Sequence, residues 1–77
     1  MTVAQLLGLL GHNWRSPENI RRNVARIKRS IGAKGLRKDY RILIDRRTGK
    51  VCDGYCLIKA LAELGYTRTV TLQVEYL

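Results

Sequence analysis

Between Ser16-Pro17 and Gly32, four apolar residues, Ile20, Val24, Ile27 and Ile31, recur at intervals of four, three and four. That spacing lines up one face of an α-helix. Serine at the cap followed by proline at the first helical position is a start signal, because the missing proline N–H would have had no partner there. The spacing predicts a helix from Pro17 that stops before Gly32, with an apolar stripe that must be buried against other elements.

The rest of the chain supplies those elements. Thr2 stands three residues before Gln5, as in a capping box, and Val3, Leu6, Leu7 and Leu10 lead to Gly11, predicting a short first helix weakened by Gly8. Residues 40–45 alternate Tyr40, Ile42 and Ile44 against Arg41, Leu43 and Asp45; Arg46-Arg47-Thr48-Gly49 reads as a hairpin turn into a short strand over 50–53. Leu57, Ile58, Leu61 and Leu64 form a second helical stripe ending at Gly65. Val70, Leu72, Val74 and Tyr76 alternate with polar residues as a last strand. The order α-α-β-β-α-β predicts a small α+β fold. With 77 residues the chain has room for one domain, residues 1–77, divided into a short N-terminal helix and loop (1–14), a middle segment (15–41) and a strand-strand-helix-strand unit (42–77). A core of this size buries only about 60% of the unfolded chain's surface, so a partner or a second copy would add useful burial, and the last strand offers an edge for a homodimer.

Charge divides along the same lines. The net charge is +9, but residues 1–14 carry none of it, 15–41 hold ten basic against two acidic residues, and 42–77 hold five against four. On the second helix Arg22, Arg26 and Arg29 share one stripe, while Arg21 and Lys28 flank the apolar one. Like charges at this spacing cost about 0.2–0.5 kcal/mol per pair, and Glu18 is the only acid on the helix. A solvated basic face is the plain account of such a run. The functional account is that several phosphates neutralise it together, with release of counterions. Asn19 and Asn23 on the same helix have the chemistry to meet base edges.

Other chemistry is poorly provided for. Cys52 and Cys56 with one distant histidine, His12, fall short of the four ligands of a structural zinc site, so no metal is expected, and the two thiols read as reduced, packed side chains. His12 lacks an implied serine or carboxylate partner. Trp14, Tyr40, Tyr55, Tyr66 and Tyr76 have the ring faces to stack on bases or to anchor a protein interface but are needed first for the core, Trp14 and Tyr55 being the two expected to reach the surface. The longest apolar or glycine run, residues 6–11, is too short for a membrane span or a signal peptide, which predicts a cytoplasmic protein with no membrane partner.

Taken in order, Ser30-Ile31-x-x-x-Gly35-Leu36, Ile42-Leu43-Ile44-Asp45, Thr48-Gly49, Val51-Cys52-Asp53-Gly54, Ala60-Leu61-x-x-Leu64-Gly65 and the closing strand resemble the ParB N-terminal, or ParB/sulfiredoxin-like, domain; Asn19-x-Arg21 is similar to the Asn-Pro-Arg that often precedes it. The resemblance covers residues 30–76 and implies that fold, with a plasmid, phage or partition context. In the family the residues after Asp-Gly carry the chemistry: His and Arg in nuclease-like members, arginine pairs on nucleotide phosphates in ParB, a catalytic Cys before His-Arg in sulfiredoxin. Here Tyr55, Cys56, Leu57 and Ile58 follow, and the arginine position reads Leu57. An aliphatic side chain cannot supply the charge-assisted fork of arginine. The resemblance therefore implies a binder without catalysis or cofactor. A helix start can still receive an anion on its backbone N–H groups, which nominates Gly54, Tyr55 and Cys56 with Lys59.

The resulting expectation is a non-catalytic nucleic-acid-binding protein, DNA ahead of RNA, holding phosphates with Arg15, Arg21, Arg22, Arg26, Arg29, Lys34, Arg37 and Lys38. The alternative belongs to another class: a phage or mobile-element inhibitor or adaptor, working in the host cytoplasm, whose basic face docks on an acidic host protein or on a host protein's nucleic-acid interface.

Overall fold

The computed structural model describes residues 1–11, 15–36 and 40–77. Six elements follow in the expected order: α1 (Val3–Leu7), α2 (Pro17–Lys34), β1 (Arg41–Ile44), β2 (Val51–Asp53), α3 (Tyr55–Glu63) and β3 (Gln73–Tyr76). The strands form one mixed sheet in the order β2-β1-β3, with β1 antiparallel to β2 and parallel to β3. The fold is α+β. Antiparallel neighbours need only the tight turn over 46–49, whereas the parallel pair needs a crossover, which β2 and α3 provide.

The caps act as the sequence implies. The Thr2 hydroxyl accepts from the Gln5 N–H while the Gln5 side chain accepts from the Thr2 N–H, and the Ser16 hydroxyl accepts from the Asn19 N–H. Two boundaries differ. α1 ends at Gly8 rather than near Gly11, and the next residues instead reach the sheet, the Val51 N–H donating to the Leu9 carbonyl at 2.9 Å. α2 runs through Gly32 to Lys34. A glycine whose surroundings are open only weakens a helix; the stop comes at Gly35, whose φ of 77° leaves the helical region.

The last strand is shorter than the alternation suggests. Its first half serves the N-terminus: the Ala4 N–H donates to the Thr67 carbonyl and the Val3 N–H to the Val70 carbonyl, and Met1 and Leu72 exchange bonds in both directions. β3 lies at one edge of the sheet, as expected for the final strand, and on the other edge Leu10 bridges to Val51 beside β2.

α3 sits at the centre of the helical layer, packed on both α1 and α2, and accordingly buries Cys56, Leu57, Ile58, Ala60 and Leu61. Ile42 and Ile44 of β1 meet it from the sheet, Val3 and Leu6 from α1, and Ile31 from α2. Val24 joins Cys56 and Ala60 in a smaller cluster, with Ile20, Ile27 and Tyr55 packed against it. The apolar stripe of α2 is thus consumed by packing, which leaves its opposite face to solvent.

Cys52 departs from expectation. Leu43 pairs with Asp53 but Ile44 pairs with Val51, so Cys52 is the extra residue of a β-bulge and is exposed rather than packed. Cys56 is buried in the smaller cluster.

Candidate nucleic-acid interface

Burying Val24 and Ile31 of α2 turns Arg22 and Arg29 outward, and both are exposed. They stand two turns apart, about 10 Å along the axis. Neither makes a salt bridge among the described residues; the acids that do pair are Glu63, 3.6 Å from Lys28, and Glu75, 2.8 Å from Arg41. The outer face therefore keeps its charge.

The two flanks of α2 differ. On the α3 side, Arg21, Arg22 and Lys28 border a groove of about 480 Å³ with Lys59 and Glu63 opposite and Ile20 and Val24 in its floor. On the other side, a chain of polar contacts climbs the helix: the Asn23 amide donates to Asn19 Oδ1 at 2.9 Å, and Arg26 Nη2 donates to Asn23 Oδ1 at 3.1 Å. Asn23 and Arg26 form one wall of a cleft of about 650 Å³. Asn19 and Asn23 are thus engaged with one another on the helix surface.

The other walls come from the sheet. Tyr40 and Arg41 enter from the start of β1, Lys50 from the end of the turn, and the stretch from Val51 to Leu57 closes the cleft. At its inner end Gly54 caps α3 with φ 107° and no side-chain bond to the helix N–H groups. Asp45 and Asp53 also line it, Asp45 Oδ1 accepting from the Arg47 N–H within the turn. Four cations, Arg15, Arg26, Arg41 and Lys50, thus converge on one concavity.

The nominated residues divide accordingly. Arg22 and Arg29 are on the outer face, Arg21 borders the groove, Arg15 and Arg26 line the cleft, and Lys34 is exposed in the last turn of α2. Arg37 and Lys38, like His12 and Trp14, lie outside the described residues. Gly54, Tyr55 and Cys56 line the cleft, Cys56 as a buried residue. Lys59 borders the groove, its ammonium 5.5 Å from the centre of the Tyr55 ring.

The amino-acid sequence offers Tyr40 as a stacking ring but does not single out Arg41 or Lys50. The alternation over 40–45 and the turn over 46–49 place Lys50 back beside Asp45, whose N–H donates to the Lys50 carbonyl. What that pattern lacks is the position of α2 against the hairpin, which makes the recess.

Among the described residues there is no group of three His, Cys, Asp or Glu side chains placed to hold a metal ion, and no helix is long and apolar enough to cross a membrane. Comparison with protein-family models, with curated proteins and with solved structures finds no match to this chain.

Proposed function

We propose that this protein binds nucleic acid through the outward face of α2, without catalysing a reaction. The observation that carries this reading is the unpaired state of Arg22 and Arg29 among the described residues while two acids elsewhere are matched to Lys28 and Arg41. A face that sets Arg22, Arg26 and Arg29 against Glu18 alone keeps a net positive charge and suits a polyanion, whose counterions are released as the arginines replace them. The resemblance to ParB-like domains over residues 30–76 points the same way. Its missing arginine supports a purely binding role: Leu57 is a core position, 7% exposed, so the arginine position offers no guanidinium to a reacting phosphate.

The groove between α2 and α3 favours a second reading. Its apolar floor and cationic rim would accept an acidic, partly apolar segment of another protein, as an inhibitor or adaptor would require.

Fluorescence anisotropy of end-labelled oligonucleotides of mixed sequence, duplex and single strand, tests the first reading. The double variant Arg22→Glu with Arg29→Glu should weaken binding by tenfold or more, to a similar degree for every sequence, since phosphate contacts carry no sequence information (roughly the loss of two phosphate contacts or more). Unchanged affinity would overturn the reading. Absence of binding at low salt, with a folded protein, would transfer the basic face to the protein-docking account.

A further inference from the structure

We infer that the nucleic acid is taken as a single strand, running from the outer face of α2 into the cleft between α2 and the β1–β2–α3 junction; this rests on the nucleic-acid reading above. The shape is the first argument. Arg22 and Arg29 stand exposed on the outer face of α2, Arg22 also at the border of the groove toward α3, where a duplex can touch them, but Arg26, Arg41 and Lys50 border a recess of about 650 Å³. A recess of that volume is the size of a small-ligand pocket, not of a duplex. A single strand can rotate its backbone and lower a nucleotide into it.

The composition of the walls is the second argument. Arg41 and Lys50 come from β1 and the turn, separate from the helix that carries Arg26, so folding brings cations from three places in the chain to one concavity, with the Arg41 guanidinium also paired to Glu75. Tyr40 and Tyr55 line the same cleft, and both are half-buried, keeping part of each side chain open to solvent. Cations tracking a backbone beside aromatic rings are the working parts of single-strand binding surfaces, because every base has a face to stack. Lys59, which borders the groove and not the cleft, lies over the Tyr55 ring.

The acids complete the match. Asp45 and Asp53 would repel a bare phosphate, and they line the same cleft as the cations. Base edges carry amino donors that a carboxylate accepts, so a lining of both signs suits a strand that brings phosphate and base together.

The test compares a mixed-sequence strand of roughly 12 nucleotides, within the span that single-strand modules cover, with a duplex of the same length, by anisotropy at fixed salt. DNA and RNA strands are run separately. At least one strand should bind about fivefold or more tightly than the duplex. Lys50→Glu, at an exposed position, should weaken the strand by about tenfold and the duplex no more than does Arg68→Glu, an equal charge change outside the cleft. Tyr55→Leu, apolar enough to keep its packing, should weaken the strand about fivefold and leave the duplex unchanged. A duplex bound at least as tightly as both strands overturns the inference, as does a Lys50→Glu loss no larger than that of Arg68→Glu. Absence of binding to either form overturns the underlying reading instead.

Discussion

The backbone of Gly54 lies against the side chain of Ile42 so closely that a Cβ at position 54 would collide with the Ile42 δ-methyl. Ile42 is fully buried in the central strand, and Gly54 opens α3, so this contact sets how deeply the helix start sits on the sheet and thus fixes the inner end of the cleft. Gly54 also holds φ at 107°, a region L-residues rarely adopt.

Gly54→Ala should therefore be costly on two counts, left-handed backbone and overpacking, together about 2–4 kcal/mol. Gly49→Ala, with φ 70° but open space around it, bears only the first, about 1–2 kcal/mol. Thermal unfolding should place Gly54→Ala below Gly49→Ala, and both below the parent. Equal melting temperatures would show that the Ile42 contact relaxes without cost.

Ser16→Ala removes the side-chain acceptor of the Asn19 N–H at the start of α2 and should destabilise by about 1 kcal/mol, lowering Tm by roughly 4–8 °C. Ser16→Asp retains an acceptor and places a negative charge at the positive end of the helix, so it should stay within about 0.5 kcal/mol of the parent or exceed it.

Arg41 and Glu75 form the 2.8 Å contact that ties β1 to β3, yet both side chains are more than half exposed, at 62% and 54%. A double-mutant cycle with alanine at each position should give a coupling below about 1 kcal/mol. A larger value would mean that the pair is more rigidly held than its exposure implies.

Arg22→Glu should separate stability from binding. It turns the like-charge interaction with Arg26, one turn on, into an attractive one, and the attractive interaction with Glu18, one turn back, into a repulsive one, so stability should stay within about 0.5 kcal/mol of the parent. The same change should weaken nucleic-acid binding. A variant of unchanged stability that binds less is the outcome expected of a surface kept for a partner; loss of both together would point to a structural role for Arg22.

These relationships differ in how far the amino-acid sequence discloses them. Local chemistry was legible: Thr2 with Gln5, Ser16 with Pro17, and the turn over 46–49 each announce their geometry, because the partners lie within a few residues. The outward charge of Arg22 and Arg29 followed from periodicity once Val24 and Ile31 were assigned to the core. The end of α2 did not, since Gly32 and Gly35 read alike and only the conformation at Gly35 distinguishes them. Nor did the early part of the last strand, whose alternation at Val70 and Leu72 serves contacts with Met1 and Val3 instead of a ladder. The bulge at Cys52 depends on strand register, and the cleft depends on where α2 lies against the hairpin; both are long-range facts that no window of sequence contains.

The salt dependence of binding tests the central claim most directly. With four phosphate contacts, log K against log salt concentration should fall with a slope of about −2.8 for a single strand to about −3.6 for a duplex, which weakens binding about 50- to 150-fold between about 50 and 200 mM salt. Arg22→Glu should flatten that slope by about one. A slope near zero, or no binding at the lower salt by a folded protein, would contradict the account and leave the cationic face of α2 to a protein partner.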